Sequence, residues 1–348
     1  MKAAQLREYH QPLELVELPT PELRRPDEVL VKVEGAGVCA TDLHTIDGEM
    51  EPAGVTLPRV LGHENAGRVA AVGELVSTVA VGDPVLLYPP HSCGLCVACR
   101  RGIDMHCDHH QFTGLTVDGG FAEYVVVTER SIVRLPEGVD PVAVAPHSDA
   151  GITAYHAVKR VAHLSLPGTT AVVIGVGGVG HVALQLVREL GSSAVVGVDP
   201  DSRRRALAEE LGADAALDSS GAVDAVRDLT DGRGADIVLD FVGSDQTHAD
   251  GMGMLARRGT YSMVGFGGTL SVPSAAMVGG EQTAMANLVG SWIDLWELMQ
   301  LHGRGKLTLK TETHPLEDVN EVLAKLREGE VTGRAVLVPN PGERGEQA

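Results

Sequence analysis

The chain has 348 residues, enough for two domains that each enclose a core. Its composition, 44% hydrophobic and 22% charged, is globular and excludes a disordered chain, while a formal charge of −19 argues against sequence-independent binding to nucleic acid. No apolar run reaches the roughly 20 residues of a membrane helix and no hydrophobic leader follows Met1-Lys2, so a cytoplasmic protein with no membrane partner is expected.

From Met1 to about Pro146, short alternating runs such as residues 28–33 and 123–127, broken by Gly and Pro, predict a mostly-β domain. Two motifs in this stretch carry chemistry: Gly37-Val38-Cys39-Ala40-Thr41-Asp42-Leu43-His44 and Gly62-His63-Glu64. A thiolate at Cys39 and a neutral imidazole at His63 suit a borderline-soft zinc, and the flanking glycines predict tight turns. Asp42 is read as accepting a hydrogen bond from the His63 ring, which would fix its tautomer. Next come Cys93, Cys96, Cys99 and Cys107, spaced C-x2-C-x2-C-x7-C, a thiolate set that closes a tetrahedral zinc of the structural kind. With five cysteines in all, none is left for a disulfide or for a second thiolate beside Cys39. Candidates for the third ligand there are Glu64, His147 and Asp149. His106, His109 and His110 are read as exposed loop residues around the cysteine lobe.

Beyond this stretch the rhythm changes. Strand-like runs at 169–174, 194–199, 237–241 and 260–264 alternate with helical patterns at 180–190 and 203–211, which predicts βαβ units and a parallel sheet. Gly175-Val176-Gly177-Gly178-Val179-Gly180 lies between the first strand and its helix, and Asp199 closes the next strand 19 residues past Gly180. In that context the glycines admit a pyrophosphate to the helix N-terminus and the acid faces a ribose. Asp199 would repel a 2′-phosphate, so NAD is favoured over NADP. Arg203, Arg204 and Arg205 follow closely, and one of them can offset that repulsion. Arg204, Thr153 and Val264 join the motif as candidate cofactor residues. Trp292 and Trp296, spaced i, i+4, suit a core, an interface or a pocket wall. A helix is predicted at 316–328, and the polar tail 339–348 is expected to fray.

Taken together, G-V-C-A-T-D-L-H, G-H-E, the four-cysteine lobe, S-D-A-G-I-T-A-Y-H and G-V-G-G-V-G resemble the zinc-dependent medium-chain alcohol dehydrogenases over essentially the whole chain. The bacterial NAD-dependent secondary-alcohol dehydrogenases are especially similar. The resemblance implies an α/β protein: a GroES-like, mostly-β catalytic domain at residues 1–148 and 290–348, and a Rossmann doubly wound parallel-sheet domain at 149–289. It implies two zinc ions per chain, one structural and one catalytic, the latter on Cys39, His63 and Asp149; many members have Cys where this chain has Asp149. A carboxylate gives the metal less charge than a thiolate, leaving it a stronger Lewis acid. Glu64 matches a nearby carboxylate able to swing onto the metal, and Thr41 and His44 match a proton relay. The implied activity is hydride transfer between NAD(H) and an alcohol/ketone or aldehyde pair, with secondary alcohols as expected substrates and a homodimer or homotetramer as the assembly. The alternatives are a polyol or sugar-alcohol dehydrogenase of the same superfamily, or a non-catalytic NAD(H)-binding zinc protein. The intact Thr41–His44 pair opposes the second of these, since a sensor needs no proton path.

Overall fold

A computed structural model describes residues 1–340. The chain divides into two compact units. The first gathers Met1–Ile152, Ser291–Gly305 and residues 309–340; the second comprises Thr153–Gly290 and Lys306–Thr308. Residues 149–152 cluster with the first unit.

The first unit is built on a seven-stranded sheet whose spatial order is Ile132–Arg134, Pro84–Leu87, Glu64–Val72, Glu28–Val38, Arg334–Val338 and Thr311–Pro315, with Tyr124–Thr128 also paired to Glu28–Val38. Along Glu28–Val38, Val29, Val31 and Val33 are fully buried and alternate with half-exposed residues, the period-two pattern of a strand covered on one face. These valines share a core with Leu6, Leu61, Phe121 and Leu337. The expected helix at 316–328 forms as a 3₁₀ turn, Leu316–Asp318, running into an α-helix, Val319–Arg327. Thr311–Pro315 and Arg334–Val338 add two strands the sequence pattern did not reveal. Val336 pairs with Gly37, and Gly37 pairs with Glu64, so the last strand reaches the strand end that delivers Cys39. Pro339 is buried, against the fraying expected there, and residues 341–348 lie outside the described residues.

In the second unit six strands form a wholly parallel sheet. The spatial order is Ala215–Leu217, Ala194–Val198, Thr170–Ile174, Ala235–Asp240, Leu255–Met263 and Thr283–Ala286. The chain starts at Thr170–Ile174, winds outward in one direction, then crosses over to Ala235–Asp240 and winds in the other. That reversal makes the carboxyl ends of these two strands the switch point, where doubly wound sheets take their ligands. All five residues of Thr170–Ile174 are buried, as expected where helices cover both faces, which is why the run is continuously apolar. The helices Gly180–Leu190 and Ser202–Glu210 lie within a residue of their predicted limits. Among the described residues no helix is long and apolar enough to cross a membrane.

Candidate active site and metal centres

Cys39 ends the Glu28–Val38 strand as the N-cap of the short helix Ala40–Ile46, in an extended conformation (φ −123°, ψ 158°). Its amide donates to Oδ2 of Asp42 at 2.9 Å, and Oδ1 of the same fully buried carboxylate lies 3.4 Å from Nδ1 of His63. One aspartate therefore orients both the cysteine and the imidazole, and it turns His63 Nε2 toward Asp149. The Nε2 to Asp149 Oδ2 distance is 3.6 Å, and Cys39 Sγ lies 3.7 Å from the same oxygen. Donor atoms of Cys39, His63, Glu64 and Asp149 all fall within 4.8 Å of one another. Gly62, at φ +92°, makes the turn before His63 as expected. Gly37 does not sit in a turn: it lies within the Glu28–Val38 strand, and a Cβ there would stand 2.1 Å from Glu64 Oε2. The position is glycine because the carboxylate occupies that space.

This donor set fits zinc. Ligand bonds of about 2.0–2.3 Å in a tetrahedron put donor atoms about 3.3–3.8 Å apart, as the two distances to Asp149 require. Both nitrogens of His63 are buried without a hydrogen-bond partner, and burial in that state costs energy unless a cation takes the inner one. Burial opposes the imidazolium, yet Asp42 and Asp149 outweigh it and hold the ring's pKa well above its ordinary value. Burial likewise pushes Asp149 up, but His63, Arg334 and Cys39 hold it below the usual carboxylate range. The pocket is thus an electrostatic well for positive charge at the point where His63, Cys39 and Asp149 converge.

His147 does not join these donors. It is fully buried, and its Nε2 lies 3.1 Å from Nδ1 of His302 on the helix Trp292–Gly303. Thr41 Oγ1 stands 3.8 Å from Cys39 Sγ. His44 sits one turn further along the same helix and directs Nδ1 to Glu49 Oε2 at 2.6 Å. Trp292 donates its indole N–H to the Ile132 carbonyl at 2.9 Å. With Trp296, Arg130 and Arg134 it lines an open groove of about 460 Å³ that includes none of Cys39, His63, Glu64 and Asp149.

Arg334 is the residue the sequence reading missed. Almost fully buried at the start of the last strand, it donates to Glu64 Oε1, which also accepts from the amide of Ala150 at 3.0 Å. Burial pushes the Glu64 pKa up and Arg334 counters it; the guanidinium, held by Glu64 and Cys39, stays charged. One oxygen of Glu64 is therefore committed to Arg334, while Oε2 has no hydrogen-bond partner and faces Gly37. The available signal was a charge opening an otherwise apolar strand, Arg334-Ala335-Val336-Leu337-Val338.

The four other cysteines converge as a closed set. Cys99 Sγ lies 3.5 Å from Cys96 Sγ and 3.9 Å from Cys93 Sγ, near the tetrahedral edge of about 3.8 Å for zinc–sulfur bonds. Amides of Leu95 and Cys96 point at Cys93 Sγ and hold its thiol below its ordinary pKa, and those of Cys93 and His109 point at Cys107 Sγ, all at 3.3–3.4 Å. His106, His109 and His110 are exposed and outside the donor set, as read from the sequence.

In the second unit, Gly175 adopts φ +84°, and a Cβ on Gly180 would stand 1.8 Å from the Gly175 carbonyl oxygen, so neither tolerates a side chain. Gly177, Gly178 and Val179 complete the turn into the Gly180–Leu190 helix. Asp199 is 1% exposed and accepts from the amides of Val176 and Asp201, both at 2.9 Å; each carboxylate oxygen keeps a lone pair for a ribose hydroxyl. Arg204 Nη1 lies 3.9 Å from Asp199 Oδ2, whereas Arg203 pairs with Asp201 and Arg205 with Asp218. Val264 sits at the carboxyl end of the sheet, its amide bonded to the Asp240 carbonyl at 2.8 Å. Thr153 lies on the helix Ala150–Val161, half-exposed.

Comparisons with known proteins agree with this geometry. The alcohol dehydrogenase GroES-like domain matches residues 25–137, and the zinc-binding dehydrogenase model matches residues 178–302. A NAD-dependent alcohol dehydrogenase of Sulfurisphaera tokodaii is 36% identical, the match covering 97% of this chain and all of the relative. A D-arabinose 1-dehydrogenase (NADP(+)) of Saccharolobus solfataricus is 35% identical, with 97% of each chain covered. The crystal structure of an alcohol dehydrogenase from the archaeon Aeropyrum pernix superposes with a TM-score of 0.94 at 42% identity, covering 97% of this chain and 100% of that one. The chain belongs to the zinc-binding alcohol dehydrogenase family. The family, the α/β fold and the oxidoreductase class expected from the motifs are borne out.

Proposed function

We propose that this chain oxidises small secondary alcohols, or reduces the corresponding ketones, with NAD as hydride carrier and zinc held by Cys39, His63 and Asp149. The observation that carries the reading is the convergence of Cys39 Sγ and His63 Nε2 on Asp149 Oδ2 at 3.7 and 3.6 Å. Zinc supplies Lewis acidity that lowers the pKa of the substrate hydroxyl. NAD, when bound, would supply the hydride acceptor or donor. Asp42 holds His63 in the tautomer that leaves Nε2 free to donate a lone pair. Thr41 takes the hydroxyl proton and passes it outward, and His44, one turn away and bonded to Glu49, releases it to solvent. Cys93, Cys96, Cys99 and Cys107 would hold a second zinc, and a set of four thiolates leaves it no open position for substrate.

Asp199 favours NAD by repelling a 2′-phosphate, with Arg204 beside it tempering that preference. Cysteines committed to zinc and none to disulfides support a reducing, cytoplasmic setting. Ile293 and Trp296, both above 40% exposed on one helix, support assembly as a homodimer or homotetramer. Similarity to a D-arabinose dehydrogenase supports a second reading, oxidation of a sugar or polyol. The test is a substrate panel of 2-propanol, 2-butanol, sorbitol and D-arabinose with NAD and with NADP, using Cys39→Ser as control. Turnover of the simple alcohols that Cys39→Ser abolishes supports the first reading; turnover confined to the polyhydroxy substrates selects the second.

A further inference from the structure

The second unit carries a buried polar cluster that the chemistry above does not use. Asp240, at the carboxyl end of Ala235–Asp240, is fully buried, as is Tyr261 on the neighbouring strand; His248, on the helix Asp245–Met254, is 4% exposed. The Tyr261 hydroxyl donates to Asp240 Oδ2 at 2.6 Å and lies 2.7 Å from Nδ1 of His248. Because the phenol proton goes to the carboxylate, the His248 ring must donate from Nδ1 to the phenol oxygen. Gly251, one turn beyond His248, makes room: a Cβ there would stand 2.4 Å from the tyrosine ring. The surrounding core is apolar, built from Val172, Val196, Val238 and Leu255, and apolar side chains at all three positions would fill the space without the cost of desolvating three polar groups.

The far end of the cluster explains its presence. Asp240 Oδ1 accepts from the amides of Val242 and Gly243 at 2.8 and 3.1 Å, and the Asp240 carbonyl accepts from those of Val264 and Gly265 at 2.8 and 3.0 Å. One residue thus ties the loop after its own strand to the loop after Leu255–Met263. These loops also abut the glycine turn after Thr170–Ile174: a Cβ on Gly175 would stand 2.6 Å from Val242 Cγ2, and one on Gly243 would stand 2.1 Å from the Gly265 carbonyl carbon. Of these three loops at the switch point, the one at residues 241–243 is held by the Asp240 carboxylate, whose other oxygen is fixed by Tyr261 and lies 3.5 Å from His248 Nδ1.

We propose that Asp240, Tyr261 and His248 form a positioning network that sets the loop at residues 241–243 for the nicotinamide half of the dinucleotide. The inference rests on the dinucleotide reading of the second unit. In that reading the adenosine half lies over Asp199, on the other side of the switch point. Loss of the network should therefore weaken NAD without weakening AMP, which occupies the adenosine half alone. Misfolding of the sheet would weaken both.

The test uses the full-length, zinc-loaded enzyme and its Tyr261→Phe variant. We expect the KM and dissociation constant for NAD to rise about 10-fold, the worth of one hydrogen bond to a charged group, with the AMP inhibition constant unchanged. A variant that matches wild type in both constants, or one that loses AMP and NAD equally, overturns the proposal. If Tyr261→Phe does not accumulate, His248→Leu and His248→Gln decide: Leu should raise the NAD constants while Gln, which keeps a donor, restores them. Identical behaviour of the two overturns it. Wild-type enzyme that binds neither AMP nor NAD overturns the dinucleotide reading and the network with it, and is distinguished by failing before any substitution is made.

Discussion

Asp42 stands behind His63, its Oδ1 3.4 Å from the ring Nδ1 while its Oδ2 holds the amide of Cys39. A single buried carboxylate thus orients two of the three proposed zinc ligands. Replacing it with asparagine keeps an acceptor for the Cys39 amide and removes the charge behind the imidazole. Asp42→Asn should weaken the catalytic zinc roughly 10–100-fold, measured by competition with a chromophoric chelator, while the fold persists. Unchanged affinity would mean that the contact is structural only.

The Glu64–Arg334 pair gives a second prediction. Both side chains are almost fully buried, so Arg334→Met leaves a carboxylate without its counter-charge beside Cys39. That should cost about 3–5 kcal/mol of stability in urea unfolding. Adding Glu64→Gln should recover most of the loss, because the orphaned charge is then gone. A double variant no more stable than the single would show that Arg334 acts through something other than Glu64.

The cysteine lobe offers a chemical readout. Backbone amides at Cys99 and Asp108 lower the Cys96 thiol to about 6, whereas burial raises Cys99 to about 12. A thiol with a depressed pKa is anionic above that value and loses its charge as the pH falls through it. After chelation at neutral pH, iodoacetamide should therefore label Cys96 first and Cys99 last, and labelling of Cys96 should fade below about pH 6. Peptide mass spectrometry reads the order directly; equal rates would contradict it.

Cofactor choice should follow Asp199. The wild type is expected to prefer NAD over NADP by about 10-fold or more in kcat/KM. Asp199→Ala should erode that preference, and Arg204→Ala should depress NADP use further because it removes the cation next to the site. Equal use of both cofactors by the wild type would show that Arg204 or its neighbours dominate.

The parts of the site legible in the sequence were those encoded by local spacing. The four cysteines, the glycine turn and Cys39 with His63 all sit in short motifs whose residue types dictate the chemistry, and the helix at Gly180–Leu190 follows from its flanking glycine and apolar period. What stayed hidden depends on register between distant strands. Arg334 reaches Glu64 across 270 residues of sequence because the last strand pairs with Glu28–Val38. Gly37 looked like a turn glycine but is a strand residue yielding space to a side chain two strands' pairing brings opposite. The Asp240–Tyr261–His248 cluster was equally invisible: its members are ordinary residues of a strand, a strand and a helix until the sheet is assembled.

The measurement that bears most directly on the central claim is zinc content per folded chain, by elemental analysis, in wild type, Asp149→Ala and His147→Ala. Two sets of donors predict two zinc ions in the wild type. Asp149→Ala should retain only the ion of the cysteine lobe and lose nearly all turnover, while His147→Ala should keep both ions. An Asp149→Ala protein that still holds both, or a His147→Ala protein that loses one, would contradict the assignment of Cys39, His63 and Asp149.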